Sequence, residues 1–78
     1  MIDTIITYIK DEIANEKLEH IDSHEDLLGT GILDSIGMIK LISYLEKEFK
    51  IKVRSEDMNV ENFMTVENIS KFVSNLRG

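Results

Sequence analysis

Ser35 is the residue best placed to do chemistry. It stands in Leu33-Asp34-Ser35-Ile36, directly after the glycine-flanked loop Gly29-Thr30-Gly31 and at the start of the strongest amphipathic stretch of the chain. A hydroxyl at a helix start lies beside free backbone N–H groups and the positive end of the helix dipole, and both favour an attached or bound phosphate. Asp22-Ser23 repeats the dipeptide without those surroundings, so the flanking pattern singles out Ser35, not Asp-Ser itself. The residues alone leave two readings open, a phosphate-bearing serine and an ordinary serine of a helix cap region.

Other chemistries are poorly served. Serine hydrolysis needs a base, an orienting acid and oxyanion donors around the nucleophile. Ser35 is outside any Gly-x-Ser-x-Gly pattern, and His20 and His24 are the only histidines. Those two are spaced i, i+4 near Asp22, Glu25 and Asp26, a set that suggests a metal site, yet they fall in a loop with no recognisable ligand motif and are expected to be surface histidines. The same acids miss the glycine and terminal glutamate of a calcium loop. With no cysteine, the chain has neither disulfide nor thiolate of its own, and any thiol chemistry must come from a cofactor.

The elements that must position Ser35 are helical. Ile2, Ile5, Ile6, Ile9 and Ile13 recur at helical spacing and predict a first helix over about residues 2–16. Residues 17–34 hold glycines and polar residues among Leu18, Ile21, Leu27, Leu28, Ile32 and Leu33. A loop this long and apolar should be ordered across the bundle and deliver Ser35. A second helix is expected from Ser35 to Phe49, capped by Asp34, with Ile39, Ile42, Leu45 and Phe49 as its stripe and Met38 and Leu41 widening it. Ile51-Lys52-Val53 reads as extended and Val60-Glu61-Asn62-Phe63 as a single turn. Thr65 caps a last helix whose apolar face is Val66, Ile69, Phe72, Val73 and Leu76, with Glu67 near its start. The expected fold is all-α, a small four-helix bundle of three long helices and one short, in one domain over residues 1–78.

Charge excludes some partners. The net charge is −6, which argues against nucleic acid. It is unevenly spread: residues 1–39 carry nine acids and two bases, residues 40–54 two acids and five bases (Lys40, Lys47, Lys50, Lys52 and Arg54), and residues 55–78 four acids and two bases. The blocks are −7, +3 and −2, so the middle of the chain suits different partners from the rest. No apolar run approaches the roughly 18 residues of a membrane span, and the N-terminus lacks a signal-peptide pattern; a cytoplasmic monomer is expected.

The run Asp26-Leu27-Leu28-Gly29-Thr30-Gly31-Ile32-Leu33-Asp34-Ser35-Ile36, followed by Leu41, Leu45-Glu46-Lys47-Glu48-Phe49 and Ile51, closely resembles the acyl carrier protein family. The resemblance covers nearly the whole chain, since Glu56-Asp57-Met58 through Glu61-Asn62-Phe63 and Thr65-Val66-Glu67-Asn68-Ile69 are similar to that family's third-helix region and final helix. It implies that Ser35 is esterified by 4′-phosphopantetheine, transferred from coenzyme A by a magnesium-dependent phosphopantetheinyl transferase, and that acyl groups ride as thioesters on the borrowed thiol. It also implies no catalysis by the chain itself, and as partners an acyl- or aminoacyl-AMP ligase and acyltransferase or synthase enzymes. Asp34 then either helps position the transferase or serves as the cap, and Ile36, Met38 and Ile39 divide between partner contacts and core. Gly37, Lys40 and Lys47 stand where the fatty-acid type often carries acids, and Ser35-Ile36-Gly37 resembles discrete carriers charged by a dedicated AMP-forming ligase, D-alanyl carriers among them. The alternative from another class is a four-helix interaction adaptor without a prosthetic group.

Overall fold

The computed structural model describes residues 1–13 and 21–77. Helix α1 (Ile2–Tyr8) runs into a π-helical turn (Ile9–Ile13); α2 (Ser35–Phe49), a 3₁₀ turn (Ser55–Asp57), α3 (Val60–Phe63) and α4 (Val66–Arg77) follow, with no strand among the described residues. The expected all-α bundle of acyl-carrier type is present.

Of the expected isoleucine stripe, Ile5 and Ile9 are fully buried and Ile13 is 9% exposed, while Ile2 and Ile6 are partly buried against the core. The regular helix expected through residue 13 is corrected to a π turn over Ile9–Ile13; residues 14–20, with the helix end, the start of the loop and His20, lie outside the described residues. An α-helical step of four residues overshoots a full turn, whereas a π-helical step of four falls short of one. The π turn therefore swings Ile13 back into line below Ile5. There α1 meets α2 across Gly37, where an added Cβ would lie 2.8 Å from Ile13 Cγ2. Glycine inside a helix costs about 1 kcal/mol, and here it admits the close approach.

The core side of α2 is Gly37, Leu41, Ile42 and Leu45, with Met38 and Phe49 partly buried beside it. Ile39, expected in the stripe, is 64% exposed. Each step of three residues falls about 60° short of a turn, so Ile39, Ile42 and Leu45 drift around the helix. Met38, Leu41, Ile42, Leu45 and Phe49 instead follow the i, i+3, i+4, i+7, i+11 pattern that stays on one side. Tyr44 stacks on Tyr8 of α1 with ring centroids 3.9 Å apart, and Tyr8 Oη donates to the Lys40 carbonyl at 3.2 Å. Burial pushes both phenols above the ordinary tyrosine pKa, with Glu12 adding to the effect at Tyr8 and Glu48 at Tyr44.

Helix α2 ends at Lys50, which takes the left-handed conformation (φ 53°, ψ 50°) and donates its N–H to the Glu46 carbonyl. Glycine ordinarily fills this position because a Cβ is strained there. Lys50→Gly is expected to raise stability by about 0.5–1 kcal/mol, the relief exceeding glycine's unfolded-state entropy, and to lift Tm by about 3–6 °C in a chain this size. An unchanged or lower Tm in a thermal melt would contradict the strain assigned to Lys50.

Beyond residues 51–54, Asn59 caps α3 by accepting from Asn62 N at 2.9 Å, and Thr65 Oγ1 caps α4 by accepting from Asn68 N at 3.0 Å. Phe63 of α3 is fully buried and meets Phe72 of α4 edge to face, centroids 5.4 Å apart. This pair closes the core beneath the loop that leads to Ser35.

Candidate functional site

The segment before Ser35 is tied down at several points. Glu67 N donates to the Ser23 carbonyl at 3.0 Å and Leu27 N to the Met64 carbonyl at 2.8 Å, fastening the loop to α3 and α4. Asp26 builds the turn at the glycines: its carboxylate accepts from Gly29 N at 2.8 Å, and its carbonyl from Thr30 N at 3.1 Å and Thr30 Oγ1 at 2.7 Å. Gly31 has φ +80°, a conformation glycine takes without strain. Leu33 N then donates to the Leu27 carbonyl at 2.9 Å. Ile21, Leu27 and Leu33 are buried, so from residue 21 onward the loop packs as expected.

Asp34 is the N-cap of α2, in extended backbone geometry, with Oδ1 accepting from Gly37 N at 2.7 Å and its carbonyl from Met38 N at 2.8 Å. Such a cap is typically worth about 1 kcal/mol. Ser35 is the first residue of the helix and is exposed. Its hydroxyl makes no hydrogen bond among the described residues, and the N–H groups of Ser35 and Ile36 find no intrachain acceptor there. The arrangement presents a free hydroxyl beside two unused donors at the positive end of a 15-residue helix. Ile36 and Ile39 flank it at 67% and 64% exposure, whereas Met38 is partly buried.

No described residue supplies a base to Ser35. The Asp34 carboxylate is engaged by Gly37, and His24 lies elsewhere, paired through Nε2 with Glu67 and 3.3 Å through Nδ1 from Ser23 Oγ. Ser23, His24 and Glu67 have the composition of a nucleophile, imidazole and carboxylate set, but the His24 side chain is 74% exposed. The three residues link the loop to the start of α4, with Lys71 3.5 Å from Glu67. His24 is thus the surface histidine expected of it, and the described residues contain no cluster suited to a metal. Two open grooves lie apart from Ser35, one between α1 and Tyr44 and one between the N-terminus and Ser70 and Ser74 of α4. Among the described residues, no helix is long and apolar enough to cross a membrane.

A 4′-phosphopantetheine group fits the geometry at Ser35. The exposed oxygen is accessible for esterification, the two unused N–H groups would meet the phosphate charge, and the backbone beneath is held by Asp34 and the Asp26 turn. When bound, the group supplies a terminal thiol, which this cysteine-free chain lacks. The chain's own contribution would be to hold the Ser35 hydroxyl at a helix start.

Sequence reasoning placed Asp34, Ser35 and Thr65 where the structure has them. It did not single out Asp26, whose Asp-x-x-Gly-Thr spacing is the signal for the turn it builds.

Comparison with known proteins agrees with this geometry. The chain is similar to the D-alanyl carrier protein of Streptococcus uberis, 42% identical over 53 residues, which are 68% of this chain and 67% of that one. It is also similar to the D-alanyl carrier protein of Streptococcus suis, 36% identical over 67 residues, 86% and 82% of the two chains. To the probable acyl carrier protein PigG of Serratia it is 25% identical over 73 residues, 94% and 84% of the two chains. Its backbone is similar to a solved chain described as "Crystal structure of FAD-dependent dehydrogenase", with a TM-score of 0.84, 25% identity and coverage of 91% of this chain and 100% of that one. The family model for the phosphopantetheine attachment site matches residues 3–73, and the chain therefore belongs to the phosphopantetheine-bearing carrier family.

Proposed function

We propose that Ser35 is the residue that carries 4′-phosphopantetheine, and that the chain is a discrete single-domain aminoacyl carrier over residues 1–78, a cytoplasmic monomer with no catalysis of its own. The observation that carries this reading is the exposed hydroxyl of Ser35, unbonded at the first position of α2 beside two unused backbone donors. A phosphopantetheinyl transferase installs the arm, an AMP-forming ligase loads it, and an acyltransferase or synthase receives the cargo. D-alanine is the cargo named by two relatives, and this supports the aminoacyl reading.

The test begins with the chain carrying its arm, installed by a broad-specificity transferase from coenzyme A and magnesium. It is then incubated with ATP, D-alanine and the D-alanine ligase of Streptococcus suis, and followed by intact mass. A D-alanyl adduct that requires the arm is the expected result. An arm-bearing chain left unloaded, while the Streptococcus suis carrier is loaded in parallel, would overturn the D-alanyl cargo.

A further inference from the structure

We propose that the groove between α1 and α2, floored by Tyr8 and Tyr44 and rimmed by Asp3, Asp11 and Glu12, holds an arginine-bearing segment of a partner protein. The segment sits away from Ser35, so one partner can hold the chain while another works at the helix start.

The groove follows α1 and its π turn, with Asp3 and Asp11 eight residues apart and Tyr8 and Glu12 four apart. The three acids are exposed, and the two tyrosines are partly buried against the core. A volume of about 440 Å³ admits a side chain together with its backbone, more than a single ion needs. No lysine or arginine lines the groove, and none of its acids forms an ion pair among the described residues. The negative potential reaches the floor, because Glu12 adds to the rise of the Tyr8 pKa and Glu48 to that of Tyr44. Residues 1–39, which include the whole α1 side, carry −7, so a cationic segment is drawn to this side of the chain.

The floor selects arginine over lysine. A guanidinium is planar, lies against aromatic rings and forks to carboxylates, whereas an ammonium is a strongly hydrated point charge. The chain makes such a contact itself at the far end of the same aromatic row. Tyr8 stacks on Tyr44, Tyr44 meets Phe49 edge to face with centroids 6.4 Å apart, and the Arg77 guanidinium lies 6.0 Å from the Phe49 centroid. Both arginines of the chain are thereby engaged, Arg77 on Phe49 and Arg54 with Glu56 and Asp57, which favours a different protein over a second copy as the source. Asp3 and Asp11 are about 12 Å apart along the helix, and an extended segment covers about 13 Å in four residues, so arginines at that spacing reach both ends. Tyr44 follows Ser35 by nine residues, which at about 100° per residue is half a turn around α2; an occupant of the groove leaves the Ser35 side open.

The experiment titrates the acetylated, amidated pentapeptide Arg-Ala-Ala-Ala-Arg, and its twin with lysine at both ends, into isotope-labelled chain at low salt, followed by amide shifts in NMR. Shifts should cluster at residues 3–12 and Tyr44, with the arginine peptide bound about threefold tighter than its twin. D11N/E12Q should weaken the arginine peptide about fivefold, while Glu61→Gln, at an exposed acid of α3 outside the groove, should change it less than twofold. Tyr44→Leu should erase the preference for arginine. Circular dichroism checks folding, and D11N/E12Q, at exposed positions, decides the matter if Tyr44→Leu does not fold. Scattered shifts, no saturable binding, equal binding of the twin, or D11N/E12Q within twofold of wild type overturns the proposal. Self-association in sedimentation that D11N/E12Q abolishes overturns it in favour of a second copy. Ser35→Ala should bind the peptide like wild type, so a failure of the attachment reading leaves this result standing; loss of the peptide in that variant would overturn the separation of the two sites.

Discussion

Ser35→Ala is expected to abolish phosphopantetheine incorporation completely while leaving Tm within about 3 °C of wild type. The separation between the two effects follows from the geometry. The Ser35 side chain is exposed and makes no hydrogen bond among the described residues, whereas the cap that holds the start of α2 belongs to Asp34. Substitutions at such surface positions usually change stability by less than about 0.5 kcal/mol, which for a domain of this size is a few degrees in Tm. Incorporation requires the oxygen itself, so its loss leaves no residual activity to measure. Ser23→Ala provides the control, because Asp22-Ser23 has the dipeptide but sits in the loop at the start of α4, not at the start of α2. That variant should be modified like wild type. Intact-protein mass spectrometry on both variants, with melts in parallel, measures the prediction. Modified Ser35→Ala would remove Ser35 from its assigned role.

The largest effect on stability is expected from Phe63→Ala. Phe63 is fully buried, packs edge to face on Phe72, and lies in the one-turn α3 whose neighbour Met64 accepts the hydrogen bond from Leu27 N. Truncating a buried phenylalanine costs about 3–5 kcal/mol, the lost transfer free energy adding to an unfilled cavity. Chains of this length have roughly 4–12 kcal/mol in total. The variant should therefore be partly unfolded at 37 °C or close to it, and the loop to Ser35 should loosen because its anchor on α3 is lost. Urea denaturation gives the change directly; a loss below about 1 kcal/mol would contradict the central place given to Phe63.

Much of this architecture was legible in the residue pattern because helix periodicity and caps are local. Ile5, Ile9 and Ile13, the cap at Asp34, the cap at Thr65 and the face of α4 all follow from spacings of a few residues. The π turn was not legible, because a repeat of four residues is compatible with either helical pitch. What selects the wider turn is the approach of Ile13 to Gly37, a contact 24 residues apart in sequence. Ile39 was assigned to the wrong side of α2 for a related reason. Three apolar residues at steps of three look periodic, but drift around a real helix until one of them leaves the core. That isoleucine is instead exposed on α2, one turn on from Ser35.

The candidate site was legible to a different degree. The position of Ser35 followed from the loop and the helix start, but the residues alone favoured an ordinary cap-region serine until the family pattern was added. The structure adds that Asp34 caps α2 and that the Ser35 hydroxyl makes no hydrogen bond among the described residues. A small bundle of this kind needs no catalytic groups to present a swinging arm, because function resides in the grafted site and its partners.

Peptide mapping by fragmentation mass spectrometry tests the central claim most directly, after incubation of wild-type chain with coenzyme A, magnesium and a broad-specificity phosphopantetheinyl transferase. The account predicts one phosphopantetheine per chain, located on Ser35. A folded chain that takes no group while a known carrier is modified in parallel, or one that takes it on another residue, would contradict it, the first result favouring an interaction adaptor.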